Sequence, residues 1–202
     1  MRIYIVRHGQ TNENLNKISQ GHFNSQLTHL GIEQAKEISK KLKNIEITHA
    51  YSSDLDRCVK TAEEILKHHQ KVVLVQNNKI REQAKGVFEG QHSSKFKKVV
   101  KESQIPYEDF KPEKGESLRE CWQRAITFFE NLIKEHDDTD QVLIVSHGGP
   151  ISCILTYLHK DKIENTKEYS TKGNTSLSVI NIDQSKKYSF ELVNSLQHLE
   201  LD

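Results

Sequence analysis

Cysteine is scarce, charge is balanced and long apolar runs are missing, and each shortage removes a class of protein. The three cysteines, Cys58, Cys121 and Cys153, are odd in number and lack CxxC spacing, which argues against a disulfide framework and suits reduced thiols in a cytosolic protein. All three fall in predicted helices as small core residues, and none sits at a glycine-rich turn beside a base, where a nucleophilic thiol would belong. There is no HExxH, no Cys/His cluster of zinc spacing and no DxDxDG loop, so neither a metal nor any other cofactor is expected. Lys and Arg number 29 against 28 Asp and Glu, for a formal net charge of +1, so no general field draws the chain to nucleic acid or to an anionic membrane. No apolar stretch approaches a membrane span, and the chain enters a strand almost at once without a signal-type segment; a soluble, cytoplasmic protein is expected. No repeat, low-complexity tract or Pro/Ser-rich linker divides the 202 residues, which is the length of one α/β domain, 1–202, with a full core.

What is present is an alternation of short apolar runs with amphipathic stretches. Runs at 2–6, 47–51, 72–75, 142–146, 177–182 and 189–193 read as strands. Between them, apolar residues recur at three- or four-residue spacing: Ile32, Ala35, Ile38 and Leu42; Val59, Ala62, Ile65 and Leu66; Ile151, Ile154, Leu155 and Leu158. Each set marks the inward face of a helix. Ser117 and Glu120 form a capping box that opens a long helix to about His136. The segment 83–114 is polar, interrupted by Gly86, Gly90, Pro106 and Pro112 and lysine-rich from Lys95 to Lys101; it reads as a mobile cap. Strands alternating with helices predict a three-layer α/β/α architecture around a central, mostly parallel sheet.

Two histidines stand just past apolar runs and just before glycines, in Ile3-Tyr4-Ile5-Val6-Arg7-His8-Gly9 and Val142-Leu143-Ile144-Val145-Ser146-His147-Gly148-Gly149. Buried parallel strands deliver such residues to the carboxyl edge of a sheet, where open α/β proteins bind ligands. Arg7 adjoins His8, and Arg57 opens a helix whose amide donors favour an anion. Two arginines with two histidines make a pocket for a doubly charged phosphoryl group, and Gly9 and Gly148 let the backbone approach it. In such a pocket a neutral imidazole can attack phosphorus while the other, cationic, steadies the equatorial oxygens. The leaving alkoxide needs a proton, and Glu82, after the strand-like Lys79-Ile80-Arg81, points at the same edge.

These segments together resemble the histidine phosphatase superfamily, the phosphoglycerate mutase-like group. Val6-Arg7-His8-Gly9-Gln10-Thr11-Asn12-Glu13-Asn14 is similar to its RHGxTxxN signature, with Gln10 where Glu is commoner. Gln20-Gly21, the Leu27-Thr28-x-x-Gly31 stretch, Ser52-Ser53-Asp54-Leu55-x-Arg57, Ile80-Arg81-Glu82-x-x-x-Gly86-x-x-Glu89-Gly90, Gly115-Glu116-Ser117 and Ser146-His147-Gly148-Gly149 continue the likeness in order. The resemblance implies a phosphoglycerate mutase-like fold, His8 as the phosphorylated nucleophile, Arg7, Arg57 and His147 as ligands of the phosphoryl group, and Glu82 as proton donor and acceptor. It also implies that Asn14 reaches phosphate and that Gln20 and Gly21 line the substrate side.

The modest cap and the Gly86-Val87-Phe88-Glu89-Gly90 ending resemble the phosphatase branch, which includes fructose-bisphosphatase-type apoptosis regulators and metal-independent phosphoserine phosphatases. The expected activity is hydrolysis of a small phosphorylated metabolite: phosphoserine, a phosphoglycerate or a sugar phosphate. A cofactor-dependent phosphoglycerate mutase would need a closing lid and further cations. A non-catalytic phospho-ligand binding module would be expected to have lost one of His8, Arg7, Arg57, Glu82 or His147. The sequence leaves open whether two copies pair as a homodimer.

Overall fold

A computed structural model describes residues 1–200. Six strands form one sheet in the order β3-β2-β4-β1-β5-β6. They are β1 (Arg2–Arg7), β2 (His49–Ser52), β3 (Leu74–Gln76), β4 (Gln141–Ser146), β5 (Leu177–Ile182) and β6 (Tyr188–Ser195). The first four run parallel, and β5 and β6 complete one side antiparallel. The helices are α1 (Asn12–Leu15), α2 (His29–Leu42), α3 (Asp56–Leu66), α4 (Ser93–Ser103), α5 (Leu118–Glu135) and α6 (Gly148–Leu158). The three-layer, mostly parallel α/β/α architecture is therefore the one its periodicities predict.

Both faces of the sheet are dry, which explains why β1 and β4 are continuous apolar runs. Successive side chains point to opposite faces. Tyr4, Val6, Leu143 and Val145 pack with Ile38 and Leu42 of α2 and Cys58, Ala62 and Ile65 of α3. Ile3, Ile5, Val142 and Ile144 pack on the other face with Phe129 and Leu132 of α5 and Ile151, Ile154 and Leu155 of α6. Each fully buried aliphatic side chain contributes roughly 2 kcal/mol relative to leaving it in water. All three cysteines are buried.

Three local expectations change. Ile32 is exposed, and α2 instead turns Gly31, Ala35, Ile38, Ser39 and Leu42 inward. In α3 the buried stripe runs through Arg57, Cys58, Thr61, Ala62 and Ile65, with Val59 and Leu66 only half-buried. The polar segment 83–114 holds a regular helix, α4, whose Phe96 and Val100, one turn apart, form a small satellite core with Phe110, Phe88 and Tyr107. Four-residue spacing of two apolar residues among lysines is enough for one buried seam.

Register sets the site. Arg7 lies opposite Ser146, and Ser52 opposite Val145, so the residues that follow, His8, His147 and Ser53, leave the sheet together at its carboxyl edge. The His8 amide donates to the Ser146 carbonyl at 3.0 Å, and the Ser53 amide to the Val145 carbonyl at 3.0 Å. Among the described residues no helix is long and apolar enough to cross a membrane.

Candidate active site

His8 is buried, and its ring Nδ1 lies 2.7 Å from the Gly9 carbonyl oxygen. A carbonyl can only accept, so Nδ1 carries the proton and Nε2 keeps its lone pair. Burial, then the neighbouring charges of Arg57 and Arg7, hold the His8 pKa well below its usual range, which keeps the ring neutral. Its backbone is pinned as well, because Thr175 N–H and Asn174 Nδ2 both donate to the His8 carbonyl. Gly9 is required here: a Cβ would stand 2.4 Å from the Gly31 carbonyl oxygen, where α2 approaches.

His147 lies beside it, the two ring centroids 5.1 Å apart. Arg57 Nε–H donates to His147 Nδ1 at 3.2 Å, and His147 Nε2 is 2.8 Å from Ser53 Oγ. An arginine cannot accept, so Nδ1 is the acceptor and the proton sits on Nε2. The expectation of a cationic His147 is corrected: the ring is neutral, its pKa pushed well below the usual range by full burial and by Arg57. Burial strips the water that would solvate a charge on the ring, and the Arg57 guanidinium repels it.

Arg57 is fully buried on α3. Its Nη1 donates to the Phe23 carbonyl at 2.8 Å and to Ser25 Oγ at 3.3 Å, and its Nη2 to the Gly21 carbonyl at 2.8 Å. It thus ties the loop 20–25 to His147. Gln20 turns inward to accept from Ser25 Oγ at 2.6 Å. Gln20 and Gly21, expected on the substrate side, belong to this tethered loop and, like His8, Arg57 and His147, are not among the residues lining the cavity described next. Asn14 Oδ1 accepts from the Thr11 amide and from Asn174 Nδ2, so Asn14 reaches His8 through Asn174.

A cavity of about 460 Å³ opens over Arg7, Glu82, Gly148 and Gly149. Arg7 Nη1 donates to Thr171 Oγ1 at 3.3 Å. Its Nε is buried without a partner, a donor left for an anionic oxygen. Burial lowers the Arg7 pKa, with Glu82 opposing; a guanidinium stays charged regardless. Glu82 rests on the first turn of α6, where the Gly149 amide donates to both carboxylate oxygens at 3.2 and 3.3 Å and the Gln83 amide to Oε1 at 2.8 Å. The segment carrying Glu82 is held from three sides. Ser146 Oγ donates to the Ile80 carbonyl at 2.7 Å, while Arg124 Nη2 and His22 Nε2 reach the Glu82 carbonyl, each at 2.9 Å. Arg124 is paired in turn with Glu116.

The structure thus brings His8, His147, Arg7, Arg57, Glu82 and Gly148 to one sheet edge. It adds Ser53, Thr171, Asn174 and Arg124, which sequence reasoning did not single out as site residues. A signal for Thr171 and Asn174 existed in principle: β5 runs antiparallel to β1, with Leu177 opposite Val6, so the residues just before β5 must arrive beside Arg7 and His8. At the opposite edge His49, His136 and Asp140 bring ligand atoms within 4.8 Å of one another, a cation-sized grouping that the local motifs did not announce. Their polar atoms are engaged by Thr48 and Tyr51.

The family model for the histidine phosphatase superfamily (branch 1) matches residues 3–195. A broad-specificity phosphatase of Saccharomyces cerevisiae is 31% identical over 208 residues, spanning 98% of this chain and 87% of its own. A phosphoglycerate mutase-like protein of Arabidopsis thaliana is 27% identical over 204 residues, spanning 98% of this chain and 86% of its own. The solved structure of YhfR from Bacillus stearothermophilus shares the fold, with a TM-score of 0.88 at 23% identity over 98% of this chain and 99% of that one.

Proposed function

From the premise that the chain belongs to the histidine phosphatase superfamily, branch 1, and is a phosphatase, we propose that it hydrolyses a small phosphomonoester through a phosphohistidine at His8, without a metal. The observation that carries this reading is the His8 ring: its Nδ1 proton is committed to Gly9, so a neutral Nε2 is available as nucleophile beside Arg7 and Arg57. Attack of Nε2 on phosphorus breaks the P–O ester bond, and Glu82 delivers a proton to the departing alkoxide. Water then attacks the phosphohistidine as Glu82 takes its proton, releasing phosphate and the free ring. Arg7 and the first turn of α6 supply charge to the phosphoryl oxygens. Arg57 and Ser53 hold His147 as a neutral neighbour of the nucleophile.

Support for hydrolysis over mutation comes from the modest cap, a single helix with a small satellite core, and from the phosphatase relative, which acts broadly. Phosphoserine, phosphoglycerates and sugar phosphates are all of a size for the cavity, and segment 83–114 serves as its cap.

The test is labelling with a radioactive phosphomonoester. We expect an acid-labile, alkali-stable phosphoryl label that is absent from His8→Ala, and turnover that survives a chelator. With a phosphoglycerate and its bisphosphate primer, inorganic phosphate should form faster than isomer. No label and no phosphate release from any ester would leave a binding module; faster isomer would make the protein a mutase.

A further inference from the structure

The phosphatase reading says what happens at phosphorus; a second set of side chains in the same cavity bears on the rest of the substrate. Besides Arg7 and Glu82, the cavity is lined by Lys85, Tyr107 and Lys167. They come from three separate places: the turn after Glu82, the end of the cap, and the 3₁₀ turn Ile163–Tyr169. The same three residues also line a neighbouring cavity of about 640 Å³, with Phe96 and Lys101, and so form the wall the two share.

Lys85 is the unusual member. Its ammonium donates to Gln83 Oε1 at 2.6 Å and lies 4.2 Å from the centre of the Phe96 ring and 5.8 Å from that of Tyr107. Lys167 stands 5.4 Å from the centre of the Tyr107 ring. Among the described residues neither lysine forms an ion pair, and neither do Arg7 and Arg57, whereas the nearby Arg81 and Arg124 pair with Asp54 and Glu116. Burial lowers the Lys85 pKa, with Glu82 opposing. An ammonium withdrawn from water without a carboxylate is costly, and aromatic faces recover only part of that. Such a charge is retained where something else supplies the anion.

We infer that the substrate carries a second anionic group, a carboxylate or a further phosphate, received by Lys85 and Lys167 while its phosphoryl end lies at Arg7 and His8. The inference rests on the phosphatase reading above. Glu108 and Glu164 also line the cavity, but both lie near Arg119, whose charge they favour. They repel an anion from that side and leave the Lys85 wall as its seat. The lysines of α4 that the sequence made conspicuous are not the ones facing the phosphoryl site: Lys97 and Lys101 line only the outer cavity.

The experiment compares kcat/KM for matched esters: 3-phosphoglycerate and phosphoserine against glycerol phosphate and phosphoethanolamine, and a sugar bisphosphate against its monophosphate. The first pairing isolates a carboxylate and the second a phosphate, so the preferred anion is identified. In the wild type the anion-tailed ester of at least one pairing should be favoured by about 10-fold or more, the worth of one charge-assisted contact. Lys85→Met should remove most of that ratio, chiefly through KM, and Lys85→Arg should keep part of it. Lys167→Met, at an exposed position, provides the same readout if Lys85→Met folds poorly. Hydrolysis with ratios near one, or a Lys85→Met variant that lowers both esters of a pair in proportion, overturns the inference alone. Failure to hydrolyse any ester, neutral-tailed ones included, overturns the phosphatase reading and the inference with it.

Discussion

A Cβ at Gly149 would lie 2.3 Å from Glu82 Oε1, so a side chain there would push the carboxylate aside. The missing methyl lets a backbone amide hold the carboxylate by both oxygens, so Glu82 is positioned by main chain rather than by a flexible partner. The role proposed for Glu82 depends on the leaving group. Glu82→Gln keeps the shape and, through its one carbonyl oxygen, part of the amide contacts, but cannot deliver a carboxyl proton. Its kcat on alkyl phosphates should fall by roughly 10²- to 10⁴-fold, the usual worth of a general acid. With p-nitrophenyl phosphate, whose leaving group departs as a stable anion, the fall should be much smaller. Steady-state rates on the two substrates check this, and an equal loss on both would remove Glu82 from the proton path.

Two elements act together to keep Glu82 where it is. The end of β4 contributes Ser146, whose hydroxyl holds the Ile80 carbonyl, and α5 contributes Arg124, which reaches the carbonyls of Lys79 and Glu82. Glu116 completes the frame, accepting from Arg124 through both carboxylate oxygens and from the Ala84 amide. The helix that covers one face of the sheet therefore also holds the loop that carries Glu82. Arg124→Met would strip the side-chain donor from the Lys79 carbonyl, leave the Glu82 carbonyl with His22 alone, and leave the Glu116 carboxylate largely buried without its counterion. We expect a loss of about 3 kcal/mol in urea unfolding, at the lower end of what breaking a buried pair costs. A change below about 1 kcal/mol would mean that the loop is held without Arg124.

At the scale of the whole molecule, the histidines set how stability responds to acid. His8, His147, His22, His69 and His198 all have pKa values lowered chiefly by burial, His198 to about 4. Below pH 6.5, their ordinary value, the unfolded chain binds protons that the folded chain refuses. Stability must then fall as pH falls, through the window from about 6.5 toward 4. The aspartates with lowered pKa, among them Asp54 and Asp140, begin to lose their contribution only near their ordinary 3.8, so the histidines dominate the upper part of the window. Calorimetry should show Tm decreasing steadily from pH 7 to 5, and His198→Gln should flatten part of that slope. A Tm independent of pH over this range would contradict the burial of these rings.

Much of this molecule was legible from the chain alone, because strand and helix periodicity are local properties. Ile3 to Val6 and Val142 to Val145 must be buried strands whatever surrounds them, and the residues that follow must emerge at a sheet edge. That is why His8, His147 and Arg7 are legible in the chain; Glu82 follows a 3₁₀ turn, Asn78–Ile80, and not the strand-like segment expected at 79–81. Other features needed the tertiary structure. The cap helix rests on Phe96 and Val100 finding Phe110. Lys85 lines the cavity of Arg7 and Glu82 while Lys97 does not. His147 is neutral, since its charge depends on how deeply it is buried and on Arg57, which lies ninety residues away in the chain and 3.2 Å away in space. Periodicity and motif order are carried by near neighbours in sequence, whereas protonation, hydrogen-bond direction and ligand contacts are set by neighbours in space.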